Sequence, residues 1–232
     1  MTRRDYFKYG CGSFDLAIAV GEELQRAASS WHPGKAPLLI HDGIFESEFL
    51  APKPRADTLR RVLVIGNAGE AKGWGDLAEA VSMLESRGIA VPPLDFTGNA
   101  AGKSYAPLLE GLRAPHRYLE RAEDFRTLAT QYDLVINPSR NESFGMAAIE
   151  VLAAGVPLLS SRTGVIEKVQ RNPEMMFAPR DPQSLANAFG NLLARWNETD
   201  FGVAEAQTRI RERFLIGRTA AALDAAYEKL RG

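Results

Sequence analysis

Short uninterrupted apolar runs alternate along the chain with stretches of helical periodicity. The runs fall at 15–20 (DLAIAV), 37–40 (PLLI), 61–66 (RVLVIG), 93–98 (PLDFTG), 116–120 (HRYLE), 133–138 (DLVINP), 156–161 (VPLLSS) and 175–178 (MMFA), and each predicts a strand. Most lack the in–out alternation of a half-exposed strand, which predicts a parallel sheet covered on both faces. Between them the pattern predicts helices near 73–88, 104–113, 123–130, 144–154, 163–170 and 182–196. Such a series predicts an α/β fold, a doubly wound parallel sheet of Rossmann-like type. Ligands bind such sheets outside the carboxyl ends of the strands. The loops after Gly66, Gly98, Glu120 and Pro138 are therefore the ones to search.

The stretch 51–60, APKPRADTLR, is polar with two prolines and reads as a boundary. The strand and helix before it are too few residues to bury a core alone. The tail 203–231 reads as one helix, with apolar positions Ile210, Phe214, Ala221, Leu223, Ala226, Tyr227 and Leu230. No internal repeat interrupts the pattern.

Composition narrows the class only by exclusion. A net charge of −1 does not point to a nucleic-acid or acidic-membrane surface. The single cysteine, Cys11, permits no internal disulfide and fits a reducing compartment. No apolar stretch follows the basic residues of MTRRDYFKYG, so no secretory leader is expected. No apolar run reaches the roughly 18 residues of a membrane span. A cytoplasmic protein, at most peripheral to a membrane, is expected.

The chemistry concentrates in two loops and one helix. In SRNESFGMAAIEVLAAGVP (139–157) the predicted helix is apolar except for Glu150, which shares a face with Met146, Ala147 and Ala154. A buried carboxylate must be paired or hydrogen-bonded to stay ionised. It could meet a backbone amide or an arginine of the protein, or a ligand. Glu142 lies in the loop before this helix, better placed for a ligand than for the core. The amides of Gly145 and Met146 at the helix start would form an anion site. The second loop, GNAGEAKGWG (66–75), follows a strand and opens a helix. Its four glycines let the backbone approach a ligand, and Lys72 adds a cation.

Other features carry less. GNAAGKS (98–104) has three residues between its glycines where a Walker A loop needs four, so an NTPase is disfavoured. His32, His41 and His116 have no metal-ligand spacing. There is no D-x-D pair for a metal-bound diphosphate, and no nucleophile elbow. Arg121, after the predicted strand 116–120, could reach a ligand at the sheet edge, although such a residue is more often a surface charge.

Taken together, these residues resemble the nucleotide-sugar-binding half of retaining GT-B glycosyltransferases, the glycosyl transferase group 1 family. The segment 136–169 resembles the family's proline–serine, glutamate and phenylalanine–glycine stretch. A second glutamate follows with seven residues between, then an Ala-Gly-x-Pro turn. VIGNAGEAKGW resembles the family's glycine–lysine loop, and LLIHDGIFESEF (38–49) its link into the domain. The resemblance implies the C-terminal half of a GT-B fold. In it Glu150 holds the ribose hydroxyls, and Glu142 holds a hydroxyl of the donor sugar. Gly66, Asn67, Arg121, Phe144, Gly145 and Met146 line the donor, and Lys72 neutralises the diphosphate. Glu142 and Lys72 are the implied catalytic pair, with no cofactor or metal beyond the nucleotide-sugar donor. The family's arginine after the first glycine is Asn67 here, so half of the usual cationic clamp is replaced. By the same resemblance, residues 1–35 match the end of an acceptor-side domain, 36–60 a linker, and 61–232 the donor domain with its crossing helix. An acceptor-binding domain, subunit or second copy is then the expected partner. The alternative is a nucleotide-sugar-binding module without transferase activity.

Overall fold

The computed structural model describes residues 15–31, 34, 36–67, 69–98, 107, 109, 111–119 and 124–231. In chain order the strands and helices are β1 (Ile18–Ala19), α1 (Glu22–Trp31), β2 (Leu38–Leu39), β3 (Val62–Ile65), α2 (Trp74–Ser86), β4 (Leu94–Thr97), β5 (His116–Leu119), α3 (Phe125–Thr130), β6 (Leu134–Asn137), α4 (Met146–Ala153), β7 (Leu158–Ser161), α5 (Ile166–Val169), β8 (Met176–Phe177), α6 (Pro182–Ala194), α7 (Val203–Phe214) and α8 (Ile216–Arg231). The chain divides into two compact units, Met1–Glu46 with Arg211–Gly232, and Ser47–Ile210.

The larger unit holds a six-stranded sheet ordered β5-β4-β3-β6-β7-β8, parallel throughout. Every residue of β3, β4, β6 and β7 is buried. This is why their sequences run apolar without alternation. The edge strand β5 is exposed over His116 and Arg117, and its sequence is accordingly more polar. Helices α2 and α6 close over the sheet through Trp74, Leu77, Val81, Leu84, Leu185 and Phe189, all fully buried. Asp95 of β4 is a charge inside this framework, 6% exposed. Arg117 donates to both its oxygens at 2.6 and 2.9 Å, and the Tyr132 hydroxyl donates at 2.5 Å. Burial alone would raise this carboxyl, but those hydrogen bonds and the charges of Arg117 and Arg61 outweigh it and hold it below the usual range.

The chain builds the sheet outward from β3 in one direction, to β4 and β5, then returns to β6 on the other side of β3. The order therefore reverses between β3 and β6. At such a switch point the following loops diverge to opposite faces and leave a crevice.

The polar stretch after Ser47 is extended and pinned along this unit. Lys53 donates to the Tyr132 carbonyl, Arg55 to the carbonyls of Asn197 and Thr199, and Trp196 Nε1 to the Ala56 carbonyl at 2.7 Å. Gln207 of α7, 4% exposed, donates to the carbonyls of Leu50, Leu152 and Ala153. It thereby satisfies the open C-terminal end of α4.

In the smaller unit β1 and β2 pair in parallel, Ile18 with Leu38 and Ala19 with Leu39. The tail is two helices rather than the single one expected. Its backbone breaks at Leu215, which bridges Ile44. Ile44 donates to Phe214 and Ile216 donates to Ile44, both at 2.9 Å. No proline marks the break; pairing with a strand-like segment about 170 residues upstream overrides local helical preference. His41 is structural: its Nδ1 bonds the Val20 carbonyl at 2.9 Å and its ring stands edge-on to Phe214. The expected helix 104–113 and residues Cys11, His32 and Arg121 fall wholly or mostly outside the described residues.

Candidate functional site

The loops that leave β3 and β6 meet at the switch point. After β3 the chain passes Gly66 and Asn67 and makes a short 3-10 turn, Glu70–Lys72, that ends at Gly73 in the left-handed region, φ 68°. A Cβ at Gly73 would lie 1.9 Å from the Pro138 carbonyl oxygen, so only glycine admits this approach to the end of β6. A Cβ at Gly66, also at positive φ, would lie 3.1 Å from the Lys72 Cβ, so the Lys72 side chain packs over this glycine. Lys72 is thus turned across to the second loop, where its Nζ lies 2.6 Å from Glu142 Oε1.

Glu142 is fixed from its other side. Ser139, fully buried, donates to Glu142 Oε1 at 2.7 Å, and Ser161 at the end of β7 donates to the Ser139 carbonyl at 2.6 Å. The turn at Thr163–Val165 supports the same loop, with the Val165 amide bonded to the Phe144 carbonyl at 2.9 Å. Phe144 as a whole is 3% exposed, so its ring belongs to the packing beneath the loop. Helix α4 starts next to Glu142, since a Cβ on Gly145 would be 3.8 Å from the Glu142 Cβ. Gly145 is left-handed at φ 98° and no side chain caps the helix. Its first-turn amides and the positive end of its dipole are thus available to an anion.

One turn further along α4, about 6 Å by helix rise, lies Glu150. The helix is not buried all round as its composition predicts: Ala147 is exposed, and Met146 and Glu150 are half-buried. Glu150 lines an open cavity of about 500 Å³ together with Glu48, Asp124, Phe125 and Arg126. Neither a backbone amide nor an arginine donates to Glu150 among the described residues. Burial, reinforced by the Glu48 charge and opposed by Arg126, raises its carboxyl above the usual range. Asp124 is occupied as the cap of α3, accepting from the amides of Arg126 and Thr127 and from the Thr127 hydroxyl. Arg126 lies 4.0 Å from Glu48 and 3.8 Å from Asp124. Among the described residues Glu150 is left to accept hydrogen bonds here, which suits a ligand that donates them, such as a diol or a ring N–H.

The crevice therefore has two parts with different chemistry. Lys72, Glu142 and the α4 N-terminus suit an anionic group beside hydroxyls, and the acidic cavity suits a hydroxylated group. Lys72, Glu142, Gly66, Phe144, Gly145 and Met146 come together, and Glu150 follows on the same helix. Asn67 is exposed directly after β3. Of GNAAGKS only Gly98 is described. Among the described residues no group of three or more His, Cys, Asp or Glu is placed to hold a metal, and no helix is long and apolar enough to cross a membrane. Sequence reasoning missed Arg140, Asp76, Glu48 and Arg126. Arg140 pairs with Asp76 across 64 positions, which no local spacing announces.

A family model described as "Glycosyl transferases group 1" matches residues 60–195. A D-inositol 3-phosphate glycosyltransferase from Geodermatophilus obscurus is 34% identical over 165 residues, 70% of this chain and 31% of that protein. The matches span 26% to 48% of the length of four curated relatives, so the chain covers less than half of each. Among solved structures, sucrose-phosphate synthase from Thermosynechococcus elongatus superposes with a TM-score of 0.78 at 21% identity, covering 98% of this chain and 61% of that one. Anabaena HepE in complex with UDP and glucose superposes with a TM-score of 0.79 at 18% identity, covering 98% and 67%. At these identities the superpositions speak to the fold: a parallel six-stranded sheet flanked by helices, as in GT-B glycosyltransferase structures.

Proposed function

The chain belongs to the glycosyl transferases group 1 family, and from that premise we propose that it supplies the donor-binding half of a retaining hexosyltransferase that uses a nucleoside-diphosphate sugar. The observation that carries this reading is the meeting of Lys72 and Glu142, 2.6 Å apart, beside the N-terminus of α4 at the switch point of the sheet. Breaking the anomeric C–O bond leaves a nucleoside diphosphate with growing negative charge. Lys72 and the first-turn amides of α4 would stabilise that charge without needing a metal. Glu142 would accept a hydroxyl of the sugar, and Glu150 the ribose hydroxyls in the acidic cavity. By the family resemblance, the acceptor oxygen bonds to the anomeric carbon from the side the diphosphate leaves. Its proton then passes to a departing phosphate oxygen. Residues 61–232 form the donor domain in this reading, 36–60 a linker and 1–35 the end of an acceptor-side domain. A glycan or lipid-linked acceptor is held by a further domain, subunit or second copy.

Lys72→Ala tests the assignment. Affinity for the best-bound nucleoside diphosphate should drop about tenfold or more, as for a lost charge-assisted contact, while the matching nucleoside binds nearly as before. Equal loss for both ligands would contradict the role of Lys72.

A second reading, a nucleotide-sugar-binding module without transfer, is favoured by Asn67. It stands where the family has an arginine, and it leaves the diphosphate one fewer cation. Hydrolysis or transfer of a bound donor sugar, tested with acceptor fractions, separates the two.

A further inference from the structure

Arg140 has no part in the roles above, yet its side chain makes three hydrogen bonds to two carboxylates across the crevice loops. Its Nε donates to Asp76 Oδ2 at 2.7 Å, its Nη2 to Asp76 Oδ1 at 2.5 Å, and its Nη1 to Glu70 Oε1 at 2.7 Å. Its backbone amide donates to the Ala71 carbonyl at 2.9 Å. Asp76 is 7% exposed, so this is a forked pair on a nearly buried carboxylate and differs from a solvated surface bridge.

The geometry has a direction. Arg140 stands two residues before Glu142 on the loop after β6. The groups it holds bracket Lys72: Glu70 and Ala71 on the loop after β3, and Asp76 in the first turn of α2. The Lys72–Glu142 contact is a single bond at 2.6 Å made by a flexible point charge, whereas Arg140 grips Asp76 with two. The arginine fork is rigid. We infer that Arg140 is a positioning residue: it locks the glycine-rich loop onto the Glu142 loop, so that Lys72 and Glu142 meet a ligand from fixed places. This rests on the reading of the crevice as a donor site. With Asn67 in place of an arginine, Lys72 carries the diphosphate with less help, and its placement matters correspondingly more.

A merely structural arginine would weaken all ligands alike; a positioning one acts through Lys72. The best-bound of UDP, GDP and ADP and its nucleoside are titrated into wild type, Arg140→Ala, Lys72→Ala and the double variant. Arg140→Ala leaves the Asp76 carboxylate unpaired, so Arg140→Gln with Asp76→Asn is measured beside it. The expected result is a diphosphate affinity lowered about tenfold, nucleoside affinity within about twofold, no further loss when Arg140→Ala is added to Lys72→Ala, and no rescue by Arg140→Lys. Equal losses for both ligands, or additive losses in the double variant, would overturn it. Hydrogen exchange supplies a readout that needs no ligand. In both Arg140 variants the amides of 70–76 should exchange faster while those of β4 and β7 do not change. Unchanged exchange at 70–76 overturns the clamp. A wild-type chain that shows no diphosphate preference overturns the donor reading, and exchange then decides the clamp by itself.

Discussion

Glu150 sits half-buried against an acidic cavity with no hydrogen-bond donor of the protein among the described residues. Its raised carboxyl pKa fixes a sign. The folded protein holds this proton more tightly than the unfolded chain. The stabilising contribution is therefore complete below the ordinary glutamate pKa and lost as pH rises through the raised one. At neutral pH the ionised group is a liability, and Glu150→Gln should raise stability there. The gain should shrink on acidification, as read from denaturant midpoints between pH 4 and 7. The same group predicts that nucleoside affinity falls on acidification, beginning above the pH at which an ordinary glutamate protonates. A residue kept at a cost to stability is a candidate for function. It was legible in the sequence because a lone charge stands out in an apolar helix. Asp76, Arg140 and Gln207 were not, since each is explained by a partner more than 50 positions away.

The elements were legible where burial wrote them. All eight apolar runs contain strands; in β3, β4, β6 and β7 the signal is clean because a parallel strand covered on both faces has no polar side to blur the pattern. The strand order was not legible, since nothing in β6 says that it returns beside β3. The tail helix was misread because its break depends on pairing between Leu215 and Ile44. The two crevice loops were recognisable by their glycines, but their meeting depends on Gly73, whose backbone touches the end of β6. Gly73→Ala should therefore destabilise the chain by about 2 kcal/mol or more, from left-handed backbone strain plus a clash with Pro138. Gly75→Ala, in the same turn with open space around its Cβ position, should have little effect. Thermal melts of the two variants check the contrast.

At the scale of the molecule, family and fold rest on the match over residues 60–195 and on the six-stranded sheet. The larger unit contains the whole candidate crevice, from Glu48 to Gly164. Base, sugar and acceptor were not legible, since spacing in a sequence does not record the shape of a cavity. The central claim is that this crevice binds the nucleoside diphosphate of a sugar donor. The most direct test is calorimetric titration of the chain with UDP, GDP, ADP and their common sugar conjugates, repeated with Glu150→Ala. The account predicts that one nucleoside diphosphate binds and that Glu150→Ala abolishes or greatly weakens it. A folded chain that binds none of them, or binds one equally well without Glu150, would contradict it.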